Sequence, residues 1–120
     1  MKKFLTRSAA VFAILAVFSP PVPAEVSLSI AFGLDEATAT TLSYECDDGE
    51  RFAVHYYNSG SNVLALVPVD GEQRVFVNVV SASGARYVAG QYEWWTKGQN
   101  AMLTDVIEDT IRHECVVSAQ

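Results

Sequence analysis

Residues 51–80 read RFAVHYYNSGSNVLALVPVDGEQRVFVNVV, three strand-like segments separated by two turn signals. Arg51 to Asn58 sets Phe52, Val54 and Tyr56 against Ala53, His55 and Tyr57, the period of two of a half-buried strand. Ser59-Gly60-Ser61-Asn62 is a turn signal. Val63 to Val69 is an apolar run of strand length, in which Pro68 points to an edge or a bulge. Asp70-Gly71 is a strong hairpin signal, and Arg74 to Val80 is rich in β-branched residues.

The pattern continues on both sides. Thr40 to Cys46 alternates, with Leu42 and Tyr44 on one face, and Asp47-Asp48-Gly49 turns. Ser81 to Arg86 is a loop of small residues, followed by a short strand at Tyr87-Val88 and a turn at Ala89-Gly90. Gln91 to Thr96, Ala101 to Val106 and Thr110 to Val117 read as strands, with Lys97-Gly98-Gln99-Asn100 as a turn. Asp105 to Arg112 is the segment where a helix is least firmly excluded, and Glu25 to Ala39 is weakly patterned. Seven or eight short strands with turn signals between them predict an all-β domain, a small antiparallel barrel or sandwich. Closure into a barrel would also remove exposed strand edges.

The first 24 residues read as a secretory signal peptide. Lys2, Lys3 and Arg7 are a positive start, Ser8 to Phe18 is an apolar core, and Val22 and Ala24 suit cleavage after Ala24. The apolar run is too short to span a bilayer, and no cysteine stands at the cleavage point for lipid attachment, so no stable membrane anchor is expected. Export predicts a periplasmic location. It also puts Cys46 and Cys115 in an oxidising compartment, where one disulfide is the default.

Charge narrows the partners. The 120 residues carry 8 Lys and Arg against 14 Asp and Glu. The leader holds three of the basic residues and none of the acidic ones, so residues 25–120 carry a net charge of −9. That balance repels nucleic acid and favours a cationic partner, or simply keeps an exported domain soluble. No GxGxxG, GxxxxGK[ST], HExxH or CxxC is present, and no cofactor is expected. His55 and His113 lack ligand spacing and read as ordinary strand residues, so no metal is expected. Ser81 and Ser83 sit in no GxSxG, and no nucleophile–base constellation can be assembled. Asp47, Asp48 and Glu50, like Glu108 and Asp109, read as solvated acids.

Two loops remain. Ser81-Ala82-Ser83-Gly84-Ala85-Arg86-Tyr87 is built of small residues that allow close backbone approach. Trp94-Trp95-Thr96-Lys97-Gly98 carries the single lysine outside the leader at a hairpin tip. SGARY (Ser83 to Tyr87) followed by YEWWTKG (Tyr92 to Gly98) resembles the MliC/PliC family, bacterial inhibitors of C-type lysozyme. The order of the YxC strand (Tyr44, Cys46), the DG turn, the FxVxYxN strand (Phe52 to Asn58) and the terminal cysteine also matches.

The resemblance covers about Leu42 to Cys115 and implies an eight-stranded antiparallel β-barrel, not an enzyme. It implies that Ser83 and Lys97 enter the active-site cleft of C-type lysozyme and so protect the peptidoglycan. Gly84 and Gly98 would give backbone freedom there, and Tyr87 is placed with them among the lysozyme-binding residues. Tyr87, Tyr92, Trp94 or Trp95 would brace the two loops, and the face each takes is not legible in the sequence. The missing lipid-attachment cysteine points to the soluble branch, and Gln99-Asn100 stand where many relatives carry acidic residues. The alternative is a non-catalytic module for cell-wall glycan, with Trp94, Trp95 and the tyrosines as stacking platforms. Oligomeric state is not legible in the sequence.

Overall fold

In the computed structural model, residues 9–21, 29 and 37–119 are described. The chain divides into two units, residues 1–30 and residues 31–120. In the first, residues 9–21 are exposed and form neither helix nor strand. No helix among the described residues is long and apolar enough to cross a membrane. The expected cleavage point after Ala24 lies outside the described residues.

The second unit is an eight-stranded closed antiparallel barrel in simple meander order, with every strand bonded to its sequence neighbours and β8 closing onto β1. The strands are β1 (Ala37–Cys46), β2 (Arg51–Ser59), β3 (Asn62–Val69), β4 (Glu72–Val79), β5 (Ala85–Ala89), β6 (Tyr92–Lys97), β7 (Asn100–Asp105) and β8 (Thr110–Val117). The expected all-β barrel is therefore the observed one, and the segment from Asp105 to Arg112 is a turn feeding a strand, not a helix.

Alternation puts one face of each strand inside. Tyr44, Val54, Tyr56, Ala65, Val67, Phe76, Tyr87, Trp94 and Leu103 are buried there. Trp94 fills the middle, edge-on to Tyr44 with ring centroids 5.1 Å apart. Its indole Nε1 donates to the Tyr56 hydroxyl at 2.8 Å, which in turn lies 2.7 Å from the Tyr44 hydroxyl. The buried polar tips thus satisfy one another, as a tight aromatic core requires.

Several features refine the reading of the sequence. Asp70 and Gly71 both have positive φ, 51° and 81°, the conformation of a type I′ hairpin. Pro68 pairs with Gln73 of β4, but the pairing of β3 with β2 ends at Leu66. The proline therefore sits at a local edge inside a closed barrel. Cys46 and Cys115 are directly opposite on β1 and β8 and form the disulfide, tying the barrel shut at its seam.

Two boundaries differ from expectation. β5 is longer than Tyr87-Val88 because Ala85 and Arg86 pair with Thr96 and Trp95, which shortens the small-residue loop to end at Gly84. β1 begins at Ala37, inside the weakly patterned stretch, because it pairs with β2 as far as Ser59.

Candidate functional site

Meander topology sorts the connections between the two ends of the barrel. One end carries the β2–β3 turn, the β4–β5 loop, the β6–β7 hairpin and the end of β8. Ser83 and Lys97, separated by 14 residues in sequence, therefore emerge side by side, because β5 and β6 pair through Ala85 and Thr96.

The β4–β5 loop is fastened to the hairpin. The carbonyl of Ser83 accepts two hydrogen bonds, from Ser81 Oγ at 2.7 Å and from Trp95 Nε1 at 3.0 Å. Gly84 has φ of +68°, and a Cβ there would lie 2.3 Å from the carbonyl oxygen of Thr96 and 3.2 Å from Lys97 Cβ. The first of those is backbone and cannot step aside, so Gly84 is required both by conformation and by contact. Below the loop, Asn78 Nδ2 donates to the Arg86 carbonyl at 3.1 Å. Gly98, at φ of +60° with open space around it, forms the tight tip of the hairpin.

The side chains are left unused. Ser83 and Lys97 are exposed. Among the described residues, the Ser83 hydroxyl has no hydrogen-bond partner and the Lys97 amine no ion-pair partner. A hydroxyl that can donate or accept and an ammonium with three donors thus stand on a rigid backbone.

A cavity of about 280 Å³ opens beside them, lined among others by Tyr44, Tyr56, Asn58, Tyr87, Thr96 and Gly98. Burial pushes the Tyr44, Tyr56 and Tyr87 phenols up from their ordinary value, and for Tyr56 this outweighs the Trp94 donor. The lining carries no acidic or basic side chain. Tyr87 is buried at this mouth, with its ring centroid 5.6 Å from that of Tyr56.

The expected braces separate cleanly. Trp94 is core, Tyr92 lies under the Arg74 guanidinium at 5.1 Å, and Trp95 alone reaches the loop. Ser81 is the supporting residue that the sequence did not mark for this role. Its signal was the small-residue composition of the loop.

At the opposite end, Cys46, Asp48 and His113 bring potential ligand atoms within 4.8 Å of one another. The Cys46 sulfur is committed to the disulfide, which leaves two ligands, too few for a metal centre. Asp48 Oδ2 lies 2.7 Å from His113 Nδ1, and Oδ1 accepts the Glu50 N–H at 3.0 Å. The Glu50 N–H is the largest reason the Asp48 carboxyl is held below its ordinary value, with His113 adding to it.

The family described as membrane-bound lysozyme inhibitor of C-type lysozyme matches residues 44–112. A protein of that name from Pseudomonas aeruginosa is 56% identical over 64 residues, 52% of this chain and 50% of the relative. One from Cupriavidus necator is 48% identical over 67 residues, 56% of this chain and 54% of the relative. The chain thus spans about half the length of these curated relatives. Among solved structures, Pseudomonas aeruginosa MliC in complex with hen egg white lysozyme aligns with a TM-score of 0.68 at 43% identity, covering 79% of this chain and 98% of that one. PliC from Salmonella typhimurium, a periplasmic lysozyme inhibitor, aligns with a TM-score of 0.61 at 26% identity, covering 68% of this chain and all of that one.

Proposed function

The chain belongs to the family of membrane-bound lysozyme inhibitors of C-type lysozyme, and we propose that it is a non-catalytic protein inhibitor of C-type lysozyme, acting after export to the periplasm. The observation that carries the mechanism is the fastening of Ser83 to the Lys97 hairpin through Trp95 Nε1 and Gly84.

A retaining lysozyme works with two carboxyl groups, one protonated and one ionised. An inhibitor that fills its cleft must satisfy both. Ser83 Oγ can donate to an ionised carboxylate or accept from a protonated one, and Lys97 Nζ supplies a charge-assisted bond. Because loop and hairpin are already held together, little ordering entropy is lost when they enter the cleft. Neither residue presents a bond that lysozyme can cleave. The net charge of −9 on residues 25–120 steers association with a cationic enzyme, and the on-rate falls with salt.

The glycan-module alternative loses its platforms. Trp94 and four of the five tyrosines, Tyr44, Tyr56, Tyr87 and Tyr92, are buried and cannot stack on a sugar, which leaves the half-buried Trp95 and Tyr57, and the Trp95 indole is already bonded to the Ser83 carbonyl. The test is titration of the oxidised chain 25–120 into a cell-wall lysis assay driven by a C-type lysozyme. Loss of activity saturating at a fixed molar ratio is the expected outcome. Undiminished lysis at large excess would overturn the proposal.

A further inference from the structure

The outer face of the barrel continues from the Lys97 hairpin as one wall. Cross-strand pairing sets its rows. Trp95 pairs with Met102 and Met102 with Glu114, while Lys97 pairs with Asn100, Asn100 with Val116 and Val116 with Glu45. These side chains face away from the core, since their strand neighbours Trp94, Ala101, Cys115 and Cys46 are buried inside. A groove of about 560 Å³ runs along this wall, lined by Trp95, Met102, Val116, Glu45, Asp47 and Glu114 together with neighbouring backbone.

The groove has a distinct chemistry. Its floor is apolar, and Val116 is 50% exposed on it. Its flank is three carboxylates, of which, among the described residues, Glu45 alone has a cationic neighbour, Arg51 at 3.1 Å. An apolar floor beside carboxylates fits the aliphatic stem and charged head of lysine or arginine side chains. One end of the wall is Trp95, the residue that holds the Ser83 carbonyl. The wall thus adjoins the hairpin that carries Lys97.

We propose that the wall of β6, β7, β8 and β1 is a second docking surface for the same partner, receiving the lysine- and arginine-bearing rim beside the lysozyme cleft. The inference rests on the inhibitor reading above and adds a contact remote from the catalytic carboxylates. Insertion of Ser83 and Lys97 blocks the reaction, and the wall slows release of the complex.

The test uses the oxidised chain 25–120 and a C-type lysozyme. Met102→Lys and Glu114→Lys each place a positive charge on the wall without touching Ser83 or Lys97, and unchanged melting temperatures establish that they fold. Expected is a rise in the dissociation constant of at least about tenfold for each, carried mainly by faster dissociation, with a shallower salt dependence. Combined with Ser83→Ala and Lys97→Ala, either wall variant should remove the binding that remains. Wild-type affinity in both folded wall variants overturns the wall while leaving the inhibitor reading intact. Absence of any binding by the unmodified chain overturns both. If sedimentation instead shows that Met102→Lys dissociates a dimer of this chain and leaves inhibition unchanged, the occupant is a second copy and the proposal is wrong.

Discussion

The two ends of the barrel are closed by similar tight connections, yet they treat their polar side chains in opposite ways. At the end bearing the β1–β2, β3–β4, β5–β6 and β7–β8 turns, the buried Asp105 and the Arg112–Asp70 pair find partners within the chain. Asp105 accepts from Gln91 Nε2 at 2.6 Å and from the N–H groups of Ile107 and Glu108, both at 3.1 Å. Arg112, the extra residue of a bulge in β8, reaches Asp70 at 2.6 Å. At the other end the backbone is what is satisfied. The Ser83 carbonyl takes two donors, while the Ser83 hydroxyl and the Lys97 amine take none among the described residues. One end therefore spends its polar groups on stability. The other holds its polar groups ready on a rigid frame, as a binding surface requires.

The largest effect expected removes what both ends share. Reduction of Cys46–Cys115, which closes a loop 69 residues long, should cost about 4 kcal/mol on the chain-entropy model and lower the melting temperature by roughly 15–30 °C. An unchanged melting curve in reductant would contradict this. The next change separates the ends. Ser83→Ala and Lys97→Ala should each weaken lysozyme inhibition by about 2–4 kcal/mol while leaving the melting temperature alone. Full inhibition by the double variant at wild-type doses would sink the assignment of these two residues.

Gly84→Ala blurs the comparison, because it strains the frame itself. Its positive φ and the approach to the Thr96 carbonyl predict a stability loss of about 1–3 kcal/mol together with weaker inhibition. If inhibition survived at full strength, the fastening of the loop would be irrelevant to binding.

The smallest effect lies at the self-satisfied end. Burial pushes the Asp105 carboxyl up, but Gln91, the two backbone donors and the Arg112 charge together outweigh it and hold the group below its ordinary value. A depressed folded-state value means that its stabilisation is complete above the ordinary carboxylate value and is lost as pH falls through the folded one. Asp105→Asn should therefore lower the melting temperature at neutral pH and flatten its fall below about pH 4, with no change in inhibition. A variant that melted like wild type across that range would show that the turn does not depend on the charge.

Much of this was legible in one dimension. The period of two in Arg51 to Asn58 assigned Phe52, Val54 and Tyr56 to one face, and in the barrel Val54 and Tyr56 are buried while Phe52 packs against the core. Asp70-Gly71 specified its own hairpin, because a two-residue turn is a local property. The strand at Ala37 and the first residues of β5 were not legible. They are strands because Ser59 and Thr96 lie opposite them, and a cross-strand partner has no signature in the segment itself.

The candidate site divides the same way. Its two loops were visible as small residues around Ser83 and a lone lysine before a glycine. Which tryptophan holds them was not visible, since Trp94 and Trp95 are adjacent and identical in type. The alternation, the turns, the acidic charge and the cysteines available for pairing follow from residue type and local spacing. That Trp95 rather than Trp94 reaches Ser83, that Gly84 abuts Thr96, and that the outer wall runs unbroken from Lys97 to Glu45 emerge from the assembled barrel. Those facts depend on strand register around a closed barrel, and closure is a property of all eight strands at once.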